Sequence, residues 1–489
     1  MSKLPRLLLS SGALFLSLAS TIAAPAQVFT VLWGFDSNDG AYPLGALAQG
    51  TDGDLYGTTS AGGYNAQYGG YGTVFKITPG GTFTKLHEFC LSSNCADGAS
   101  PYGGLVLGTD GNFFGTTYSG GVPYDHGDGT FFKFSPTGML TTLYDFCVQG
   151  SRPVCADGRE PTSGLILATD GNFYGTAQLG GSLNCEPGGP YPGCGTIFKV
   201  TETGSLTALH YLAGYPTEGS YPQGTLVEDA SGNFYGTTSY GGSADYGTIF
   251  KIALDGRFSP LHDFTGNDGA RPFAGLIQAS DGDFYGVTQQ GGMPNCVDGG
   301  CGTVFRMTPD GVVTTLHYFD GNDGAYPTPS LIRATDGNLY GVTSAGGGTN
   351  SNGTIFKITL TGVLTTVFRF TQVGGAPQNP LLQVTNGLFY GSANGGKDNV
   401  GILFSLDMSL GPFITFVRNS GKIGQTGGIL GQGLTGTTSV SLNGTPAAFT
   451  VVSDTYLTAT VPPGATTGYV TVTTPIGTLT SNVPFRVIP

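Results

Sequence analysis

His126 lies in the string PYDHGDG, flanked by Asp125 and Asp128. An imidazole between two carboxylates can hold a divalent cation or pass a proton, although a solvated Gly/Asp loop has the same composition. The other four histidines, His87, His210, His262 and His317, occupy one slot of a recurring T-x-L-aromatic-x-F run. Trp33, Tyr144 and Phe368 fill that slot elsewhere. A position that accepts His, Tyr, Phe or Trp asks for a flat ring to pack rather than a proton shuttle. Asp36-x-Asn38-Asp39-Gly40 and Asp320-x-Asn322-Asp323-Gly324 echo the opening of a calcium loop. Both lack its remaining ligand spacing and its closing Glu, and turn chemistry accounts for them, since Asp and Asn start turns and Gly supplies positive φ. Calcium is the one cofactor the pattern admits; no other metal and no catalytic set is indicated.

No nucleophile elbow, phosphate loop or metalloprotease helix occurs. Glycine-rich strings carry no signal in a chain with 85 glycines among 489 residues. Loop aromatics outside the recurring pattern are more informative. Tyr64, Tyr68, Tyr71, Tyr124 and Tyr191 could stack on sugar rings. The candidate ligand-binding set is therefore Tyr64, Tyr68, Tyr124, Asp125, His126, Asp128 and Tyr191.

These residues hang on a repeat. An aromatic-Gly step recurs at Tyr56, Phe114, Tyr174, Tyr235, Tyr285, Tyr340 and Tyr390. A Gly-Gly pair follows each time, and then a strand of the GTVFKI type, which has drifted to GILFSL at 401. In the fifth unit four short strands are expected, at about 275–279, 284–288, 303–308 and 312–319, separated by Asp-Gly and Pro-x-Gly turns. Four strands per unit, seven units and no helical period predict an all-β, seven-bladed propeller. FTVLWGF at 29–35 matches only the closing strand of a unit, and the seventh unit lacks one. The N-terminal strand is expected to complete the last blade and close the ring, leaving no open edge.

Eight cysteines form four close pairs, Cys90/Cys95, Cys147/Cys155, Cys185/Cys194 and Cys296/Cys301. No CxxC is present and no histidine stands at zinc-ligand spacing, so local disulfides are expected. Two pairs lie in connections between blades and two in connections between second and third strands. In a propeller both kinds of loop emerge on one face. That face is stapled and elaborated, whereas the opposite one carries short turns such as TDGN and SDGD.

Residues 1–26 read as a secretory signal, with Lys3 and Arg6, an apolar run from Leu7 to Ala19, and a small-residue site ending at Ala26. No later stretch is long enough to span a bilayer. The formal net charge of −13 disfavours nucleic acid and anionic membranes, which select Lys/Arg patches. Residues 411–489 lack the repeat and show six or seven short alternating strands, the pattern of a small immunoglobulin-like sandwich.

The composite DG-x-x-P, DG-N-aromatic-YGTT, GG, GT-V/I-FK and T-x-L-H-x-F motif resembles the GloVer tandem repeat of secreted bacterial proteins, over residues 28 to 408. The tail resembles an IPT/TIG module through Pro412, Ile414, Gly427-Gly428 to Gly433, Val440–Gly444, Ser453–Thr455, and Val461-Pro462 through Gly468 to Phe485. The first resemblance implies export without implying an activity, and the second implies linking or binding. The expectation for the whole chain (27–410 propeller, 411–489 sandwich) is a secreted, cell-surface or periplasmic non-enzymatic scaffold or binding protein. It would recognise glycan or a surface partner on the stapled face, by aromatic stacking and backbone hydrogen bonds rather than charge. The alternative is a polysaccharide-active hydrolase or lyase with an accessory tail.

Overall fold

The computed structural model describes residues 27–64, 69–92, 94–122, 127–149, 155–181, 193–292, 299–349, 352–371 and 375–488. Among these residues the chain is all-β and propeller-like, built of four-stranded antiparallel blades. Seven such sheets follow one another up to Asp407. The fifth contains Ile277–Gln278, Phe284–Thr288, Thr303–Met307 and Val313–Tyr318. Its first strand is shorter than the sequence pattern suggests. Close approach of the preceding unit explains this: a Cβ at Gly275 would lie 2.2 Å from the Thr225 carbonyl oxygen.

A bulge recurs between the third and fourth strands. In the fifth unit Val304 pairs with His317 and Phe305 with Thr315, leaving Leu316 unmatched. A bulge re-aims the side chains beside it, and here it sets the orientation of the ring slot. The last blade is completed by Val28–Gly34, which pairs antiparallel with Ile402–Asp407.

The core lies between units rather than within them. Tyr56 packs on Phe113 at 4.3 Å between ring centroids, Phe114 on Phe173 at 4.4 Å, and Tyr174 on Phe234 at 4.1 Å. Tyr235 meets Phe284 at 4.1 Å and Tyr340 meets Phe389 at 4.6 Å. Leu339 takes the partner position beside Tyr285, and Leu55 takes it beside Tyr390, so the seventh unit packs on the first. Each fully buried aromatic of this kind is worth roughly 2–3 kcal/mol. The tyrosine hydroxyls reach the turn between first and second strands, as in Tyr285 to Asp281 at 2.7 Å and Tyr174 to Asp170 at 2.8 Å. Lys199 and Lys357 pair with that same turn carboxylate, at 2.8 and 2.9 Å. The recurring Asp-Gly, Tyr-Gly and FK elements are thus one structural motif.

Residues after 410 form two four-stranded sheets and a short parallel pair. The sheets enclose Ile429, Leu434, Val440, Leu457, Val470 and Val472. This sandwich sits on the turn face. The Thr455 hydroxyl donates to the Thr51 carbonyl at 2.8 Å, and the Phe413 amide to the Thr385 carbonyl at 3.0 Å. Arg333 donates to the Asn482 carbonyl at 2.9 Å and Arg486 to the Asp229 carbonyl at 3.0 Å. Leu430, Val417 and Tyr456 join the apolar cluster of Tyr56 and Phe113. These contacts all lie on the turn face, away from the strand ends that carry the described disulfides. No helix among the described residues is long and apolar enough to cross a membrane.

Candidate functional site

The loops of the stapled face are shaped by one clasp. In six units the aromatic slot of the closing strand bonds the acidic residue just before the Gly of the D/E-G step. Trp33 donates to Asp39 at 2.9 Å and Tyr144 to Asp157 at 2.8 Å. His87 bonds Asp97 at 3.0 Å, His210 Glu218 at 2.9 Å, His262 Asp268 at 2.8 Å and His317 Asp323 at 2.7 Å. The same carboxylates accept a loop amide, as from Cys90, Ala213 and Asp320. The histidine rings also pack, His317 edge-on to Phe319 at 5.1 Å and His210 stacked on Phe258 at 4.3 Å. The slot therefore wants a flat ring that also carries a hydrogen-bond donor, a requirement that spacing alone did not show. In the two calcium-like strings, Asp36 and Asp320 accept amides of their own turns, and Asp39 and Asp323 hold Trp33 and His317.

After the clasp comes a residue with positive φ placed directly before proline. Tyr42, Ser100, Glu160, Tyr221, Arg271 and Tyr326 all have φ between 54° and 57°. That region is disfavoured for a non-glycine residue, and more so before proline. Two backbone bonds hold each one there. In the fourth unit the Tyr221 amide donates to Cys194 of the preceding unit, and the Tyr221 carbonyl accepts from Ser239. Glu160 does the same with Asp128 and Gln178, and Tyr326 with Cys301 and Ser344. Strain of this kind gathers where a fixed arrangement matters.

The residue after that proline faces the axis. Leu44, Tyr102, Thr162, Gln223, Phe273, Thr328 and Gln378, one from each unit, line a single opening of about 530 Å³ on the stapled face. Their neighbours Pro, Gly and Leu largely recur, whereas these seven side chains are of five kinds, with Thr and Gln each occurring twice. Beside the opening a larger cleft of about 760 Å³ lies over the third and fourth units. Its walls include Tyr118, Glu160, Tyr215, Tyr221, Tyr240 and Asp245. A polar chain runs along it: Ser239 donates to Gln223 at 3.1 Å, Gln223 to Gln178 at 2.7 Å, and Gln178 to Glu160 at 3.2 Å. Burial, the Glu160 charge and a hydrogen bond to Glu160 together push the Tyr118 phenol above its ordinary value. Tyr102 stands edge-on to Tyr118 at 5.2 Å, Tyr221 to Tyr240 at 5.4 Å, and the Arg271 guanidinium lies 3.6 Å over the Tyr240 ring.

Cys90–Cys95 and Cys147–Cys155 are disulfides within one connection each, and Cys194 and Cys301 are disulfide-bonded as well. Cys185 and Cys296 lie outside the described residues, as do Tyr68, Tyr124, Asp125, His126 and Tyr191. Tyr64 and Tyr71 are exposed in the second-to-third connection of the first unit. Asp128 is buried, 3.9 Å from the buried Arg159, in the seam between second and third units. The sulfurs of Cys147 and Cys155 come within 4.8 Å of the Asp128 carboxylate, but as a disulfide they offer no thiolate to a metal. The residues gathered at the cleft, Tyr118, Glu160, Tyr221, Tyr240 and Asp245, were not singled out by sequence. Aligning the seven units and asking which positions change identity inside a constant frame would have found Glu160 and Tyr221.

Among solved structures, the chain is similar to a candidate 6-phosphogluconolactonase from Bacteroides uniformis, at 16% identity and a TM-score of 0.45, covering 71% of this chain and 94% of that one. It is also similar to the periplasmic gluconolactonase of Pseudomonas aeruginosa, at 17% identity and a TM-score of 0.42, covering 76% and 95%. Nothing of their activities transfers to this chain at such scores. No curated protein matches it. A family model does, over residues 12–186, 185–404 and 295–448, and the chain belongs to the Gloeobacter/Verrucomicrobia repeat family.

Proposed function

We propose that the chain is an exported, non-enzymatic binding protein that recognises a glycan, free or carried on a surface partner, at the axial mouth of the stapled face. The architecture we assign is a seven-bladed propeller over 27–410, closed by the N-terminal strand, with an IPT/TIG-like immunoglobulin module over 411–489 seated on the turn face. Disulfides such as Cys147–Cys155 support an oxidising, extracytoplasmic setting. The observation that carries the binding reading is the mouth itself. Seven equivalent positions converge there with side chains of five kinds, Leu, Tyr, Phe, Thr and Gln, and the adjacent cleft is walled by tyrosines and side-chain amides. Rings that pack on the apolar faces of sugars and amides that bond their hydroxyls are the usual means of carbohydrate recognition.

A glycan array probed with the full chain tests this. Binding to at least one glycan class is expected, with a large loss on replacing Tyr102 and Tyr240 by alanine at unchanged melting temperature. An array with no bound glycan, or binding indifferent to both replacements, rejects the proposal. A second reading, a polysaccharide hydrolase or lyase, draws support from Glu160 and Asp245 lining one cleft. Release of reducing ends from a polysaccharide panel, abolished by Glu160→Gln, would favour it.

A further inference from the structure

The cleft over the third and fourth units has a composition that a neutral ligand does not require. Four tyrosines, Tyr118, Tyr215, Tyr221 and Tyr240, line it together with two carboxylates, Glu160 and Asp245. No lysine, arginine or histidine is among its described lining residues. We infer that this cleft takes a protonated amine, and that its ligand is an amino sugar carried in a glycan; the inference rests on the glycan reading above.

The tyrosine rings are set at steep angles, 62° between Tyr221 and Tyr240. An organic ammonium placed against such walls is attracted by the ring faces, worth about 0.5–1 kcal/mol exposed and up to about 2 when desolvated. The wall already accepts one cation, because the Arg271 guanidinium lies 3.6 Å over the Tyr240 ring and donates to the Ser239 carbonyl. Among the described lining residues the only charges are the two carboxylates, and behind them stand Asp128 with Arg159, and Arg271. Arg159 is turned to Asp128 and Arg271 to Tyr240, so both guanidinium groups are engaged within the protein.

The carboxylates are held in place by neighbours that leave them acceptor capacity. Glu160 receives Gln178 and Tyr118, and Asp245 receives the Gly241 amide at 2.7 Å. An ionised carboxylate offers about four acceptor positions, so each can still bond an N⁺–H donor. Charge-assisted bonds of this kind are about twice as strong as neutral ones. Glu160 and Asp245 come from different units and different loops, and the clasped, strained backbone at Glu160 fixes one wall in advance. A ligand amine bonded at the Glu160 wall meets a frame already in place.

Calorimetry with the full chain, comparing a glucosamine hexamer with an N-acetylglucosamine hexamer, tests the inference. The glucosamine hexamer is expected to bind about tenfold tighter, and to weaken as salt is raised. Glu160→Gln and Asp245→Asn, which keep a carbonyl acceptor for their neighbours, should each weaken the glucosamine hexamer several-fold and the acetylated hexamer by a clearly smaller factor. If either variant melts lower, Tyr215→Ala decides instead, because that ring is exposed and outside the polar chain. Equal or tighter binding of the acetylated hexamer, no binding of the glucosamine hexamer, or indifference to these replacements overturns the inference. Should an acetylated or neutral glycan still bind and be lost with Tyr102 and Tyr240, only the amine assignment fails. A blank array removes the glycan reading as well.

Discussion

His317 Nε2 stands 2.7 Å from the Asp323 carboxylate, six residues further along the chain. Trp33 and Asp39 repeat this spacing with an indole, and Tyr144 and Asp157 repeat the contact with a phenol. The sixth unit, whose closing strand is Leu364–Arg369, is informative by its exception. Phe368 occupies the ring slot with no polar hydrogen to donate, and the loop that follows reads VGGAP, with no acid before its glycines. The donor ring and the carboxylate are lost together, which is what a coupled pair would do.

Asp268 gives this clasp a measurable pH dependence. Burial alone would raise its carboxyl, but hydrogen bonds from His262 and Thr265 outweigh that and hold it at about 2, below the ordinary 3.8. A carboxyl depressed in the folded state stabilises above its unfolded pKa, and that contribution fades as pH falls from about 4 toward 2. Asp268→Asn should therefore lower the melting temperature at pH 6 by an amount corresponding to about 1–2 kcal/mol, and by much less at pH 2.5. Carboxyl NMR titration of Asp268 checks the direction. A midpoint at or above 4 would contradict it.

The sequence conveyed the period, the ring closure and the packed aromatics because each depends on a local or repeated pattern. Tyr285 and Phe284 are legible as core from alternation alone. The clasp was not, since Asp in an Asp-Gly step reads fully as a turn former and its ring partner lies six to thirteen residues away. The positive φ at Glu160 runs against local preference, and is imposed by the Asp128 and Gln178 backbone bonds. The cleft was hidden for a different reason: Tyr118, Glu160, Gln223 and Asp245 come from three units and meet only once the ring has closed. The seat of the tail also lay beyond reach, because no motif in Thr455 or Arg486 signals a carbonyl in another part of the chain.

That seat can be tested at two equivalent glycines. Gly53 and Gly111 occupy the same turn of the first and second units, with φ of 85° and 80°. Alanine is strained at both, at a cost of roughly 1 kcal/mol. Only at Gly53 would the new methyl meet the tail, 2.7 Å from Thr455 Cγ2, while nothing lies within 4 Å at Gly111. Gly53→Ala should melt lower than Gly111→Ala by a few degrees. Adding Thr455→Ser, which removes the methyl and keeps the hydroxyl bonded to Thr51, should restore most of the difference. Equal effects at both glycines would mean that the tail does not rest there.

The N-terminal strand makes a stronger claim on stability than its length suggests. Phe29 stacks on Phe368 at 4.1 Å and Trp33 on Phe83 at 4.6 Å, so one strand joins the sixth, seventh and first units. Phe35 is fully buried beside Phe75 and Phe83. Deleting residues 28–35 removes these contacts, roughly 2–3 kcal/mol for Phe35 alone, and bares the edge of Ile402–Asp407. The truncated chain should melt several degrees lower and aggregate. Unchanged melting by calorimetry, with monomer retained on size exclusion, would disprove closure through this strand.

Two aromatic sets on the stapled face can be separated by their expected effects on glycan affinity. Tyr64, Tyr68, Tyr124 and Tyr191 fall in sequence between the second and third strands of the first three units, the last three of them outside the described residues, whereas Tyr102 lines the mouth and Tyr240 the adjacent cleft, beside the polar chain of Gln223, Gln178 and Glu160. These rings are held by neighbours before any ligand arrives, Tyr102 by Tyr118 and Tyr240 by Tyr221 and Arg271. Pre-ordered rings give up little conformational freedom on binding, where ordering a free residue costs about 1–2 kcal/mol. Replacing Tyr102 and Tyr240 with alanine should therefore weaken binding at least tenfold. The four loop replacements together should cost a smaller, additive factor, and neither set should move the melting temperature by more than a few degrees, since Tyr102 and Tyr240 are more than a third exposed. A larger loss from the loop set would shift the recognition surface outward from the axis, to the stapled loops themselves.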